Sequence, residues 1–428
     1  MNCSVSSGLR GRTAVVVIGA GQSGLACSHY LTRFGVDHVV LERGRVAEAW
    51  RSQRWDSLRL LTPNWQSTLP DFNYRGDDAD GYMGSAQVAQ FISGFAAHCN
   101  APVEEHTSVL RVDSCTGGYR VSTDRGDWLC AGLIVASGAF ARANVPALAA
   151  SLPADMDQLT SHQYRNPDQL RSGGVLVVGA GASGVQIAHE LARSGRRVSL
   201  AVGEHLRMPR RYRGRDIQYW MQASGLLDES WREVEDLPRL RRLPSPQLAG
   251  TPEGRDMDLD TLRAVGVETL GRLAGVAGNS LQFSGSLANV IKLADLKMNR
   301  LLDAIDEHIE SRGLPADPAE RPALTAAGDK PRLAVKFASG EFSTVLWTCG
   351  YRPDYRWLNL PLLDGKGMPA HRGGVAELPG VYFMGLPFMR RRKSSFICGA
   401  GDDARDIVHH LLMWLGRPVE SCLQAVSV

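Results

Sequence analysis

The 428-residue sequence lacks any long apolar run. Its apolar stretches, such as Ala14–Ile18, fall far short of the roughly 20 residues that cross a bilayer, so no membrane contact is expected. Met1–Thr13 carries Arg10 and Arg12 but no apolar core ahead of a cleavage site, and no signal peptide is expected. Excess charge of one sign is also missing: 48 basic and 45 acidic residues leave +3, too even for a nucleic-acid surface. Paired-cysteine spacing is absent as well. The eight cysteines (Cys3, Cys27, Cys99, Cys115, Cys130, Cys349, Cys398, Cys422) contain no C-x-x-C, which removes zinc-ribbon spacing and a thioredoxin-type dithiol. They read as reduced thiols of a cytoplasmic protein, most of them packed as small apolar side chains, and no metal site is expected.

What is present is glycine, 45 residues of 428, above the usual share of about 7%. Thr13–Ile18 is a short β-branched run of the kind that forms a strand buried on both faces. It enters Gly19-Ala20-Gly21-Gln22-Ser23-Gly24. A helical pattern from Leu25 to Phe34 follows, stopped by Gly35, and then a second strand, Val36–Leu41, ends in Glu42. The unit returns: Gly174–Val178, then Gly179-Ala180-Gly181-Ala182-Ser183-Gly184, a helix Val185–Arg193 and a strand Val198–Val202. A lone G-x-G-x-x-G is a weak signal. Two in complete strand–turn–helix–strand context are a strong one.

In such a turn the first glycine makes the bend, the second admits a pyrophosphate and the third lets helix and strand pack closely. The helix N-terminus turns free N–H groups and partial positive charge toward the phosphates. Glu42, at the tip of the second strand, suits a ribose diol, so the first unit is expected to hold FAD or NAD. In the second unit Glu204 stands nearest the strand end and suits the diol of NADH. Arg207, Arg210 and Arg211, just beyond, suit the 2′-phosphate of NADPH. Measurable use of NADH is predicted. A preference for NADPH of about a hundredfold or more would overturn that prediction. Two dinucleotides in one chain imply hydride transfer between them, hence an oxidoreductase.

Length sets a prior of two or three domains. Phe140–Pro167 reads as a crossing linker, and Pro244–Pro252 and Pro315–Pro322 as surface loops. Ser286–Ser311 is the clearest long helix, with Leu287, Val290, Ala294, Met298, Leu301, Ile305 and Ile309 on one face. Asp402 or Asp403 is expected to cap a last helix that turns Ile407, Val408, Leu411, Leu412 and Leu415 inward.

The first fingerprint, Glu42, Trp50-Arg51 and Arg54-Trp55-Asp56-Ser57-Leu58-Arg59-Leu60 resemble the flavin-containing monooxygenase superfamily, and more closely its bacterial CzcO-type flavoproteins. The second fingerprint, Pro209–Gly214, Thr348–Asp354 and Pro379–Gly385 extend the resemblance over nearly the whole chain. It implies an α/β fold of two Rossmann-like domains, the NAD(P)H domain (169–342) inserted into an FAD domain split between 1–168 and 343–428. The implied crossings are Ser137-Gly138 and Cys349-Gly350. Implied cofactor contacts on the first unit and at the crossings are Gly19, Gly21, Gln22, Ser23, Gly24, Glu42, Arg43, Trp50, Arg51, Leu58, Thr62, Val109, Ser137, Gly138, Cys349, Gly350 and Asp403. Those for NADPH or NADH are Gly179, Gly181, Ser183, Gly184, Glu204, Arg207, Arg210 and Arg211.

The activity implied is a two-step cycle in which NAD(P)H reduces FAD, and a peroxyflavin formed with O₂ oxygenates a small organic substrate. Nitrogen or sulfur is favoured over carbonyl insertion. No catalytic residue is assigned, and a homodimer is the candidate assembly. The family's F-x-G-x-x-x-H signature is altered: aligning Tyr164 with its last position puts Thr160 at the histidine, Met156 at the glycine and Ala154 at the phenylalanine. His162, two residues late, is the candidate substitute. Arg390–Lys393 reads either as a solvated loop or as a gate for an anionic substrate or the nicotinamide phosphate. Two other readings stay open, a reductase of an electron-carrier protein and a sensory flavoprotein without turnover.

Overall fold

In the computed structural model, residues 8–251, 253–326, 328 and 332–417 are described; Cys3 and Cys422 lie outside them, and the other six cysteines are free. The run Val15–Val17, fully buried, places β1 (Leu9–Ile18) inside a sheet. It turns at Gly19–Gly21 into α1 (Gln22–Arg33), which stops before Gly35 at φ +60°, and returns as β2 (His38–Leu41). Helix α2 (Ser85–His98) precedes β3 (Val103–Glu104), and an antiparallel meander follows: β4 (Val109–Cys115), β5 (Gly118–Thr123) and β6 (Gly126–Val135).

The second unit begins earlier than expected. The segment read as a linker contains β7 (Asp157–Thr160), which pairs in parallel with a strand far downstream. Next come β8 (Gly174–Val178), α3 (Ala182–Arg193), β9 (Val198–Val202), β10 (Glu268–Gly271), α4 (Leu287–Arg312) and β11 (Phe342–Trp347). The chain then returns through β12 (His371–Arg372), β13 (Val375–Ala376) and β14 (Val381–Phe383) and ends the described part in α5 (Ala400–Trp414).

Two sheets result. The nine-stranded one runs β12-β13-β14-β6-β1-β2-β3 with β5 and β4 continuing from β6, and the five-stranded one runs β7-β11-β8-β9-β10, all parallel. The doubly wound α/β architecture is therefore the one expected, with a correction to its boundaries. The five-stranded sheet reaches from Asp157 to Trp347, so cuts at 168/169 and 342/343 pass through it. The two crossings lie side by side: Arg142–Ala143 pairs antiparallel with Tyr351–Arg352.

Three local expectations also change. On α4 the fully buried stripe takes Ile291 and Leu302 in place of the half-buried Val290 and Leu301, and it draws in Asp295. Neither Asp402 nor Asp403 caps α5; both lie in its first turn behind Gly399, and Leu415 is only partly covered. Pro244–Pro252 is no simple surface loop, since Gln247, Leu248, Ala249 and Gly250 are buried. Among the described residues, no helix is long and apolar enough to cross a membrane and no group of three His, Cys, Asp or Glu could hold a metal.

Candidate cofactor site

The first glycine turn opens into a cavity of about 390 Å³. Each glycine there has a distinct physical reason. Gly19 sits at φ +108°, where a Cβ would lie 2.5 Å from the Ala136 carbonyl oxygen; a Cβ on Gly24 would meet the Gly19 carbonyl oxygen at 1.9 Å. Around a Cβ on Gly21 there is nothing within 4 Å, so the backbone faces open space. Glu42 is braced, its Oε2 accepting from Ala20 N–H (2.9 Å) and its Oε1 from Gly44 N–H (3.0 Å).

The cavity is lined by Gly19, Gly21, Gln22, Ser23, Glu42, Arg43, Trp50, Thr62, Val109, Ser137 and Gly138, which brings together eleven of the expected contacts. Six others lie elsewhere. Gly24 packs helix against strand. Arg51 points away, donating to Val46 O (3.1 Å) and Ser93 Oγ (2.8 Å) on α2. Leu58 is buried in the core beside Trp55 and Tyr164. Cys349 donates its thiol to Val178 O (3.3 Å) at the C-terminal end of β8, the central strand of the second sheet, and burial pushes that thiol up to about 11. Gly350, at φ +79°, shapes the crossing ribbon and accepts from Asn144 N–H (2.9 Å). Asp403 is fully buried and accepts from Arg391 Nη1 (2.7 Å) rather than facing the cavity; burial raises its carboxyl.

The sequence reading missed Arg54 as a site residue. Its guanidinium reaches the cavity over the Trp50 ring (5.0 Å to the centroid) and has no carboxylate partner among the described residues, and burial lowers its pKa. Ser137 Oγ is also buried without a partner. An unneutralised cation, an orphaned hydroxyl and a glycine backbone facing open space are what a buried pyrophosphate requires. The donor set fits a dinucleotide. Arg54 opens the Arg54–Leu60 motif, but nothing local marks its charge as unneutralised, because its isolation from carboxylates is a tertiary property.

His162 stands one layer back. It stacks on Tyr351 (4.6 Å between centroids), whose other neighbour, Phe140, lines the cavity (5.6 Å). Burial first, then the charges of Arg54, Arg165 and Arg43, bring its pKa down to about 4, so it is neutral near pH 7. Its Nε2 is buried and unpartnered. A histidine depressed in the folded state takes up its proton less readily than in the unfolded chain, so stability is full above pH 6.5 and falls as pH drops toward about 4. His162→Phe is expected to narrow the loss of Tm between pH 7 and pH 5, measured by thermal melts; an unaltered gap would refute this.

The second turn repeats the cradle: a Cβ on Gly179 (φ +112°) would lie 2.5 Å from Thr348 O, and one on Gly184 would lie 1.9 Å from Gly179 O. The residues expected to choose the coenzyme are arranged differently from expectation. Arg207, 7% exposed, donates to Asp258 Oδ2 (3.0 Å), Asp295 Oδ1 (2.9 Å) and Ala323 O (2.7 Å). Arg210, fully buried, pairs with Asp216 Oδ1 (2.5 Å) and lies over the Tyr82 ring (4.9 Å). Both are internal struts, which corrects their assignment to a 2′-phosphate. Arg211 is exposed and donates to Gly214 O (2.8 Å). Glu204 is exposed and paired with Lys297 Nζ (2.8 Å), a bond that holds its carboxyl below the usual range. Ser183 lies in the first turn of α3, half-buried.

Arg390–Lys393 is neither a free gate nor a solvated loop. Arg390 pairs with Asp406 (3.2 Å), Arg391 with Asp403 (2.7 Å) and Asp406 (2.8 Å), Arg392 with Glu229, and Lys393 with Asp228 and Asp402 (2.8 Å each). With each cation answered by a carboxylate, the loop fastens residues 228–229 to α5 and offers no net charge to an anion.

Residues 16–225 match the pyridine nucleotide-disulphide oxidoreductase family. An uncharacterized CzcO-like oxidoreductase of Geobacillus kaustophilus is 29% identical over 93% of this chain and 98% of its own length. The CzcO oxidoreductase of Bacillus subtilis is 25% identical over 92% and 98%. Among solved structures, a variant of a flavin monooxygenase from Stenotrophomonas maltophilia superposes with a TM-score of 0.66 at 22% identity, covering 94% of this chain and 99% of that one.

Proposed function

We propose that this chain is a flavin-containing monooxygenase of the CzcO type, a reading its similarity to the CzcO oxidoreductases supports, and that it oxygenates nitrogen or sulfur in a small organic substrate. It is an FAD-dependent oxidoreductase working with a nicotinamide coenzyme. The observation that carries the reading is the cavity on the first turn, with its unpaired Arg54 and braced Glu42. FAD, reduced by the coenzyme, supplies the activation of dioxygen.

The chain's part is binding and enclosure. Backbone N–H groups of the first turn and the Arg54 guanidinium would hold the pyrophosphate, and Glu42 would accept from the ribose hydroxyls. Trp50, Met384, Phe396 and Ile397 supply apolar wall that keeps water from the reacting atoms. His162, behind Tyr351 and Phe140, is neutral and brings no cation there.

The test is turnover of the yellow holoenzyme with NADH or NADPH in air, with amines, thioethers and ketones assayed for oxygenated product. N- or S-oxygenation coupled to coenzyme oxidation supports the reading. Reduction of a protein carrier or ferricyanide without oxygenated product would replace it with a carrier reductase. NADH is expected to serve as reductant, since Arg207 and Arg210 are committed to internal carboxylates. An NADPH preference of about a hundredfold or more would contradict that.

A further inference from the structure

The two glycine turns are alike in backbone and unlike in surroundings. Around a Cβ on Gly21 nothing lies within 4 Å, whereas one on Gly181 would have Ser245 Oγ at 3.2 Å and Ser245 O at 3.3 Å. Ser245 Oγ accepts the N–H of Ala182 (3.2 Å), the first residue of α3. That N–H is of the kind a Rossmann turn offers to a coenzyme phosphate.

The segment carrying Ser245 follows a short helical turn, Leu237–Leu240, on which Leu243 N–H closes (to Leu240 O, 3.2 Å), and is anchored firmly on its other side. Gln247, 1% exposed, donates from Nε2 to Ala180 O inside the turn (3.1 Å), and its backbone N–H goes to Leu206 O (2.7 Å). Gln247 Oε1 is buried with no partner, an acceptor left waiting beside the turn. Gly250 N–H is bonded to Leu60 O (3.0 Å). Ser245 itself is exposed. An exposed tip on a buried anchor is the form a displaceable plug takes.

We propose that Ser245 occupies the place of a coenzyme phosphate oxygen on the second turn, and that Ser245 and Gln247 set the affinity for NAD(P)H. The tip 243–246 leaves the turn when the coenzyme seats, and Gln247 remains as the anchor. This rests on the reading that the second turn takes the nicotinamide coenzyme. The apparent dissociation constant then equals the intrinsic one divided by the fraction of molecules with the tip withdrawn.

The test uses the FAD-loaded full chain and rapid-mixing measurement of flavin reduction across NADH and NADPH concentrations. Ser245→Gly removes one hydrogen bond from the seated state, and the apparent Kd is expected to fall about fivefold. Gln247→Ala is expected to move it the same way; flavin absorbance and a thermal melt check that this variant is folded. Independently, hydrogen exchange at Leu243 and Ser245, the amides of the tip, is expected to quicken in the unaltered protein at saturating NAD⁺ or NADP⁺, with Gln247 unchanged. An unaltered or raised Kd in folded Ser245→Gly, or slower exchange on coenzyme binding, overturns the plug while flavin reduction still upholds the coenzyme site. No flavin reduction in either protein overturns both.

Discussion

Gly24→Ala is expected to purify with less than about a tenth of the wild-type flavin, read as the ratio of flavin to protein absorbance. The added Cβ would lie 1.9 Å from the Gly19 carbonyl oxygen, a backbone atom that no rotamer change can move. To make room, α1 must retreat from β1, and its N-terminal N–H groups retreat with it. Overpacking of this kind costs about 1–3 kcal/mol, and about 1.4 kcal/mol is already tenfold in occupancy. Wild-type flavin content in this variant would show that the first turn is not the flavin seat.

The second large effect concerns stability. Arg207→Ala leaves Asp258 and Asp295, 6% and 4% exposed, without their shared cation. Breaking a buried pair from one side costs about 3–5 kcal/mol. A melting point lower by roughly 10 °C is expected by calorimetry, at about 2–4 °C per kcal/mol for a large domain. Arg207→Lys is expected to recover only part of it, because one ammonium cannot span two carboxylates and the Ala323 carbonyl as the guanidinium does. An unaltered melting point with NADPH affinity lost would return Arg207 to the coenzyme site.

These two cases also mark what the sequence could and could not tell. The glycine turns were legible because their chemistry is local: a bend, a close approach and a packing contact occupy six consecutive residues with a strand before and a helix after. Glu42 was legible for the same reason, lying at the end of the strand the turn leads to. Arg207 and Arg210 stand where a phosphate-binding arginine would. Their real partners, at Asp258, Asp295 and Asp216, are supplied by α4 and by short helices at Leu259–Ala264 and Ile217–Ala223. No spacing rule connects such positions. Arg390–Lys393 failed in the same way, since its carboxylates come from two distant segments. β7 was missed because Asp157–Thr160 has two half-buried and two exposed residues, as an edge strand can, and so lacks the apolar run that marks an interior one.

Strand β11 carries a consequence for the order in which the molecule is made. It lies between β7 and β8, yet it is synthesised about 160 residues after β8 and about 180 after β7. On the ribosome, β8 and β9 can pair early with α3 between them, but the second sheet has a gap between β7 and β8 until Trp347 has emerged. The first sheet waits longer still, because β14 closes on β6 only after Phe383. The second sheet is thus completed while the first is still unfinished. Co-translational folding of this chain is therefore interleaved, with two open edges exposed together for much of its synthesis, and those edges are where a nascent-chain chaperone would be needed.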